Sequence, residues 1–324
     1  MEKIITYSEA IREALAEEMR RDKNVFLLGE DVGVYGGAFG VTKGLLNEFG
    51  PNRIIDAPIS ESAITGSVIG SAICGMRPVA EIMFMDFITV AMDQIVNHAA
   101  KLSYIYAGQV KVPIVIRTPA GAKGGYGASH SQNLEAWFLH VPGLKVVAPS
   151  TPYDAKGLLK SSIRDNNPVL FIENKLLYSH KGQIPEEEYL IPIGKAEVKK
   201  QGKDLTLVGY SNSVLLALSC AEDLEKEGKN IEVIDLRTLS PLDIETIGES
   251  VKKTGKAIII EEGCKTGGVG AEIASQIMEK YFDYLDAPIK RIAARDVPIP
   301  CTPVLEDEAL ISKEKILQEI KSLT

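Results

Sequence analysis

The chain has 324 residues, of which 45% are hydrophobic and 25% charged, and this composition is typical of a globular protein large enough for two domains. The formal net charge of -8 argues against a nucleic-acid partner, because phosphate binding requires a basic excess. The four cysteines lie far apart, which excludes a sequence-local zinc or dithiol motif and fits a reducing compartment.

The amino-terminal segment carries a helix signal and no export signal. Thr6 and Glu9 have the spacing of a capping box, which predicts a helix over residues 7–21. The sequence has no apolar h-region at its start and no apolar stretch long enough to cross a bilayer. We therefore expect a cytoplasmic protein without a membrane segment.

Short apolar runs recur through the first half of the chain and predict buried strands. They lie at residues 25–28, 79–82, 112–116, 146–148 and 169–172. Because these runs are apolar throughout instead of alternating, they indicate a parallel sheet that is covered on both faces. Helix-like segments between them favour right-handed crossovers and a doubly wound layer.

A charged, aperiodic segment with two prolines, residues 179–193, is predicted to be the linker between two domains. We place the domains at residues 1–185 and 186–324. The second half repeats the α/β pattern, with strands predicted at 205–209, 231–234 and 257–260, and helices at 213–227, 243–252 and from 270 to about 282.

Two glycine-rich segments invite a nucleotide-binding interpretation. Residues 33–40 lack both the G-x-G-x-x-G spacing and the lysine of a P-loop, and residues 267–272 have the wrong glycine spacing as well. Tight turns and helix starts explain both segments better. A non-catalytic nucleotide-binding or electron-transfer module is therefore a weaker alternative.

Glu61 begins the most informative part of the sequence. It lies at the predicted first turn of a helix, where an acidic side chain can simply complement the helix dipole. Gly66 and Gly70 follow on the same helix, and each interior glycine costs about 1 kcal/mol relative to alanine. We expect a close contact to offset this cost, within the domain or against another subunit.

A set of motifs in fixed order resembles the beta subunits of the thiamine-diphosphate-dependent 2-oxo acid dehydrogenase family. The set comprises GEDVG (29–33), DAPISE (56–61), EIMFMDF (81–87), SHSQ (129–132), PGLKVVAPS (142–150), IRDNNPV (163–169), DLRTLSPLD (235–243) and GGVGAE (267–272). The resemblance runs nearly end to end. It implies an α/β fold of two doubly wound domains, an N-terminal pyrimidine-binding, transketolase-like domain and a C-terminal domain of transketolase type.

The resemblance assigns roles to several residues near Glu61. Glu61 matches the glutamate that hydrogen-bonds the aminopyrimidine ring of thiamine diphosphate and promotes loss of a weakly acidic thiazolium proton, an effect of about 10²- to 10⁴-fold for proton relay in general. Phe87 matches the aromatic residue that stacks on this ring. Ile59 and Met83 are implied as apolar neighbours of the ring, and Glu30 as a residue that borders the site.

His130 lies in a glycine-rich loop, where a lone histidine is usually structural or solvent-facing. Its match to the HSQ motif of the family implies that it assists proton transfer or the positioning of substrate and lipoyl group, which suits a side chain that titrates near neutrality. Ser129 and Ser131 raise a hydrolase alternative, but nothing in the sequence has the pattern of a nucleophile elbow.

The segment at residues 163–169 reads locally as a turn before Pro168. The resemblance implies a bound potassium ion near this turn, and oxygen ligands suit such a hard cation. The implied ligands are the side chains of Asp165 and Asn167 and the main-chain carbonyls of Ile114, Ser162 and Ile163.

The sequence contains no Gly-Asp-Gly, the motif through which thiamine enzymes hold magnesium and the diphosphate. The resemblance therefore implies an alpha subunit that supplies magnesium, a heterotetramer of two alpha and two beta chains, and docking to a lipoyl-bearing acyltransferase core. Oxidative decarboxylation of pyruvate or a related 2-oxo acid is the expected activity. Acetoin cleavage is an alternative, since EIMFMDF is somewhat closer to acetoin-type members. A stand-alone transketolase-like fragment is disfavoured by the missing motif.

Overall fold

The computed structural model describes Glu2–Leu323, and contacts divide these residues into two compact units. The first unit holds residues up to Ala120 together with Trp137–Ile193, and the second holds Gly121–Ala136 together with the chain from Gly194 onward. The sequence interpretation placed residues 121–136 in the amino-terminal domain, so the grouping differs from it there, and the domain boundary at 185 remains a prediction.

The elements of the first half follow one another in α/β order. Its strands are β1 (Glu2–Thr6), β2 (Val25–Gly29), β3 (Ile54–Asp56), β4 (Arg77–Glu81), β5 (Val115–Ala120), β6 (Lys145–Val147), β7 (Val169–Asn174) and β8 (Lys181–Pro185). Its α-helices are α1 (Tyr7–Arg21), α2 (Leu45–Phe49), α3 (Glu61–Ile73), α4 (Leu102–Ile105), α5 (Glu135–Leu139) and α6 (Pro152–Arg164). Short 3₁₀ segments lie at Met85–Ala91 and Lys175–Leu177, and a π-helical turn at Gln94–Ala99.

Six parallel strands of the first unit lie side by side in the order β6-β7-β5-β4-β2-β3. Every residue of β2, β5 and β7 is buried, which confirms the prediction of a parallel sheet covered on both faces. The chain moves outward from β2 to β3 and then crosses to β4 on the other side of β2. The sheet therefore has a topological switch point between β2 and β4, where α/β proteins bind their ligands at the carboxyl ends of the strands.

Local signals account for α1 and α6. Thr6 accepts a hydrogen bond from the Glu9 N–H while the Glu9 side chain accepts from the Thr6 N–H, so the predicted capping box is confirmed. Thr151 caps α6, and Pro152 at its first position needs no N–H partner. Lys156 and Lys160 of α6 reach back to Glu17 of α1 as buried cations.

Two expectations in this unit were wrong in detail. The predicted linker is not structureless, because Lys181–Pro185 pairs antiparallel with β1. The strand predicted from residue 112 begins only at Val115, since Pro113 cannot donate a ladder hydrogen bond.

The second half continues with strands β9 (Glu197–Lys200), β10 (Leu205–Gly209), β11 (Ile231–Asp235), β12 (Thr238–Ser240), β13 (Ala257–Cys264) and β14 (Lys290–Ala294). Its helices are α7 (Asn212–Lys226), α8 (Ile244–Thr254), α9 (Val269–Tyr281), α10 (Pro303–Ala309) and α11 (Lys313–Lys321), with a 3₁₀ turn at Phe282–Tyr284. Five strands form a sheet in the order β14-β13-β10-β11-β9, in which only β9 runs antiparallel. The predicted strands and helices of this half are confirmed to within about two residues, except that β13 runs on to Cys264.

The core of the second unit is an apolar cluster between this sheet and two helices. Buried side chains of β10, β11 and β13 pack against Val214, Ala217 and Leu224 of α7, and against Ile316 and Ile320 of α11. Within Glu2–Leu323, no helix combines the length and hydropathy that a membrane span requires.

Candidate active site

Three buried carboxylates lie beside the switch point of the first sheet. Glu30 follows β2 directly, Glu81 ends β4, and Glu61 follows β3 as the first residue of α3. Gly29 at the end of β2 is in register with both Glu81 and Asp56. The sheet order therefore brings acidic residues from separate parts of the sequence to one edge.

Glu61 is more than a capping carboxylate. Its side chain lies in the first turn of α3, where the positive end of the helix dipole favours a negative charge, yet only 8% of the residue is exposed. The preceding Ser60 makes no side-chain capping bond. An acid that merely complements a helix dipole is ordinarily solvated, so burial of Glu61 indicates a further role.

The negative charge of Glu61 acts on the carboxyl group of Glu30. Burial, followed by the Glu61 charge, raises the pKa of Glu30 above its ordinary value, and the Ser60 N–H donates a hydrogen bond to the Glu30 carboxylate. The buried Oε1 of Glu30 has no hydrogen-bond partner among the described residues. Two neighbouring buried carboxyl groups, one of which has an unsatisfied oxygen, therefore form a polar site that a hydrogen-bonding ligand can complete.

The third carboxylate belongs to a buried ionic cluster that the sequence analysis missed. Arg117 on β5 donates to Glu81 Oε2 at 2.7 Å and, through Nε and Nη2, to both oxygens of Glu173 at 2.6 and 2.9 Å. The Tyr178 hydroxyl donates to Glu173 Oε2 at 2.8 Å. Burial raises the pKa of Glu81, although the Arg117 charge opposes this shift. The available signal was an arginine within the otherwise apolar strand IVIRTPA.

This cluster supports the loop that follows β2. A side chain at Gly37, where φ is +81, would place its Cβ 3.4 Å from Glu81 Oε1. Gly33 N donates to Asp56 Oδ1 at 2.6 Å. The glycines of residues 33–40 therefore serve tight turns that pack on two acidic strand ends, as the sequence predicted.

Aromatic rings lie beside the acidic edge. Phe87 is half-buried in the 3₁₀ segment after β4 and meets Phe84 edge-to-face at 6.2 Å. Phe39 stacks on Tyr178 at 5.1 Å and contacts Phe84 at 5.6 Å. The implied ring neighbours differ in exposure, since Met83 is half-buried whereas Ile59 is 82% exposed.

His130 belongs to the segment that groups with the second unit. It is half-buried on a glycine-rich turn, and its Nδ1 shares a hydrogen bond of 2.9 Å with Ser129 Oγ. Gly125 and Gly127 both have positive φ. A strand–turn–helix elbow is not present at this position, which argues against the hydrolase alternative.

The residues implied as potassium ligands lie together around the end of α6. Asp165 Oδ1 accepts from the main-chain N–H and side-chain amide of Asn167 at 2.8 and 2.9 Å. The Ile114 carbonyl accepts from Val169 N at 3.0 Å, and the Ile163 carbonyl accepts from Arg77 Nε at 3.0 Å. Although burial opposes it, hydrogen bonds from Lys145 and Asn167 hold the pKa of Asp165 below its ordinary value. Oxygen atoms of this kind suit a hard cation. Two cationic side chains already bond to some of them, since Lys145 Nζ pairs with Asp165 Oδ2 and Arg77 donates to the carbonyls of Ile163 and Asp165.

In the second unit, the glycines at 267–270 begin α9 as predicted. Gly267 has φ +68, α9 starts at Val269, and the Gly270 N–H donates to Glu261 at 3.1 Å. The Glu261 carboxylate thus takes up the Gly270 N–H at this helix start, and a Cβ on Gly270 would lie only 2.6 Å from Glu261 Oε1.

Comparisons with known proteins cover nearly the whole chain. Residues 3–181 match the transketolase pyrimidine-binding domain, and residues 194–316 match the transketolase C-terminal domain. The chain is 50% identical over 315 residues to the pyruvate dehydrogenase E1 component subunit beta of Gracilaria tenuistipitata var. liui, covering 97% of this chain and 98% of the relative. It is also 50% identical to the subunit of the same name from Rickettsia bellii, covering 98% of each.

Two further comparisons agree with these. The mitochondrial pyruvate dehydrogenase E1 component subunit beta of Dictyostelium discoideum is 48% identical over 99% of this chain and 92% of its own length. A solved structure described as a split-gene transketolase, an inactive beta4 tetramer, superposes with a TM-score of 0.81 over 98% of both chains at 24% identity. At that identity, the structural match supports the fold alone.

Proposed function

The chain belongs to the family of pyruvate dehydrogenase E1 component beta subunits, and from this membership we propose that it supplies the pyrimidine half of a thiamine diphosphate site in the oxidative decarboxylation of pyruvate. An alpha subunit completes the site, and the acyl product passes to a lipoyl group. When bound, thiamine diphosphate supplies the electron sink for loss of carbon dioxide.

The buried pair of Glu61 and Glu30 at the switch point is the observation that carries this proposal. An aminopyrimidine has a ring nitrogen that accepts a proton and an exocyclic amine that donates one. Glu61 holds a proton at the ring nitrogen, and Glu30 faces the same region with an unsatisfied oxygen. Burial of both acids excludes water and strengthens these hydrogen bonds.

In this proposal, aromatic and apolar side chains surround the pyrimidine ring of the cofactor. Phe87 stacks on the pyrimidine, and Met83 and Ile59 contact its edges. Ile59 is 82% exposed in the single chain, and we propose that the alpha subunit covers it in the assembled site. His130 assists proton transfer or positions the substrate or the lipoyl group.

The proposed partner subunits follow from a motif that the sequence lacks. Without a Gly-Asp-Gly segment the chain has no motif for magnesium, so the alpha subunit holds the metal and the diphosphate. We propose a heterotetramer of two alpha and two beta chains that docks to a lipoyl acyltransferase core. The named relatives offer no support for acetoin as the substrate.

A potassium ion at the turn after α6 is a separate proposal. Asp165, Asn167 and the carbonyls of Ile114, Ser162 and Ile163 supply its oxygens. We expect potassium chloride to raise the Tm of the chain more than sodium chloride of equal ionic strength, and Asp165→Asn to abolish the difference. Equal effects of both salts on the unsubstituted chain would contradict this ion.

Substitution of Glu61 tests the main proposal. With the matching alpha subunit, thiamine diphosphate and magnesium, we expect Glu61→Gln to reduce dye-linked pyruvate oxidation by about 10²- to 10⁴-fold, because the amide cannot exchange a proton with the ring. Assembly with the alpha subunit should persist. Glu48→Gln removes an exposed carboxylate paired with Arg20 and serves as the control. Full activity of Glu61→Gln would contradict the assigned role.

A further inference from the structure

A cavity lies wholly within the second unit. Its volume is about 370 Å³, which is in the range of small-ligand pockets. The loop at residues 128–134, the end of β13 and residues 294–299 line it. Apolar side chains form much of its wall, notably Leu134, Val297, Pro298 and Ile299.

One of the polar side chains that line this cavity is Ser131. Only 2% of the residue is exposed, and its buried hydroxyl has no hydrogen-bond partner among the described residues. A buried hydroxyl without a partner is unfavourable, so native proteins rarely retain one. A bound molecule with a hydrogen-bonding group satisfies it.

The charges around the cavity favour a cation over an anion. Glu262 and Asp296 are among the lining residues, and no lysine, arginine or histidine of the described chain lines the cavity. Hydrogen bonds from the Thr266 N–H and hydroxyl hold the pKa of Asp296 low, so this carboxylate stays ionised near neutral pH.

Cys264 also lines the cavity, and its thiol lies near the same negative charges. Burial, and then the charges of Asp296, Glu135 and Glu261, raise the pKa of its thiol above the ordinary value. The positive charge of Lys265 acts on Asp296 and that of Arg291 on Glu261, and neither side chain lines the cavity.

We propose that this cavity is a binding site for a small amphipathic amine, a chemical class different from the 2-oxo acid of the proposed function. The ammonium group meets Asp296 and Glu262, the Ser131 hydroxyl completes its hydrogen bonds, and the apolar body packs on Leu134 and Ile299. Carboxylates and phosphates, including 2-oxo acids, are excluded by the acidic wall. The site therefore takes a different chemical class from the proposed substrate.

Three probes of similar shape and different charge test the proposal on the full chain: 2-phenylethylamine, 2-phenylethanol and 3-phenylpropanoate. Calorimetry should find saturable binding of the amine, weaker binding of the alcohol and none of the carboxylate. Ser131→Ala should lower the affinity for the amine by about 2- to 12-fold, which corresponds to the loss of one net hydrogen bond. Asp296→Asn should lower the affinity of the amine to that of the alcohol.

Ser275→Ala is the matched control, because Ser275 lines a different cavity of the same unit. The chain has four histidines, so the imidazole NMR signals also locate the probe. The His130 signal should shift on titration with the amine, because His130 directly precedes Ser131, while the signals of the other histidines stay in place. The proposal fails if no probe binds, if the carboxylate binds as tightly as the amine, or if Ser131→Ala and Ser275→Ala behave alike.

Discussion

At the scale of single residues, Glu261 is a buried carboxyl group whose raised pKa predicts a pH dependence of folding stability. It is 1% exposed, and burial raises its pKa to about 7, although the Gly270 N–H opposes the shift. A carboxyl group whose pKa is higher in the folded than in the unfolded chain favours folding below the unfolded value of 4.5, and this contribution is lost as pH rises through about 7.

We expect Glu261→Gln to remove this pH dependence. Relative to the unsubstituted chain, the variant should gain stability between pH 5 and pH 8, by at most about 3 kcal/mol, since each pKa unit corresponds to about 1.4 kcal/mol. Thermal unfolding across that range measures it. Glu272→Gln, an exposed position on the same α9 helix, is the control, and parallel pH profiles of both variants would refute the assignment.

At the scale of elements, α3 presents a face of small residues without an intramolecular contact. A Cβ on Gly70 would meet nothing within 4 Å, and a Cβ on Gly66 would meet only Gln94 Cγ at 3.9 Å. Ala63, Ser67 and Gly70 are exposed at helical spacing. The close contact expected from the sequence is therefore not made by the described residues of this chain, which favours the alternative of another subunit.

Substitutions at Gly70 separate stability from assembly. Gly70→Ala should stabilise the isolated chain by about 0.5–1 kcal/mol, because the site is helical and open. Gly70→Trp should leave the isolated chain folded and prevent its co-purification with the alpha subunit. Glu222→Trp, at an exposed position of α7, is the matched control, and normal assembly of Gly70→Trp would show that this face is not an interface.

At the scale of the whole molecule, we propose that this chain supplies the pyrimidine half of the site and that the alpha subunit supplies the metal and the diphosphate. Among residues 2–323, histidine, cysteine, aspartate and glutamate side chains form no cluster of three or more that could hold a metal ion. A cofactor held at one end loses much of its binding free energy.

Calorimetry with thiamine diphosphate and magnesium tests this division. We expect no saturable, magnesium-dependent binding by the chain alone and clear binding once the alpha subunit is present. Thiamine without its diphosphate is the control, because its affinity should depend little on magnesium. Magnesium-dependent binding by the isolated chain would contradict the split site.

Local patterns in the sequence were sufficient for many elements. The capping box at Thr6 determined where α1 begins, apolar runs located β2 and β7, and the glycines at 267–270 marked the start of α9, because caps, turns and periodicity act over a few residues. The family motifs likewise pointed to Glu61, Phe87 and Met83 as a proposed site before any geometry was known.

Tertiary structure alone decided which of these residues meet. The strand order placed Glu30 beside Glu61, and it set Arg117 between Glu81 and Glu173, which lie 36 and 56 positions away in sequence. It also paired residues 181–185 with β1 where a linker was expected, and it buried the Ser131 hydroxyl without a partner. Burial and pKa shifts depend on everything packed around a group, and the neighbours in a parallel sheet come from distant parts of the chain, so no local pattern encodes them.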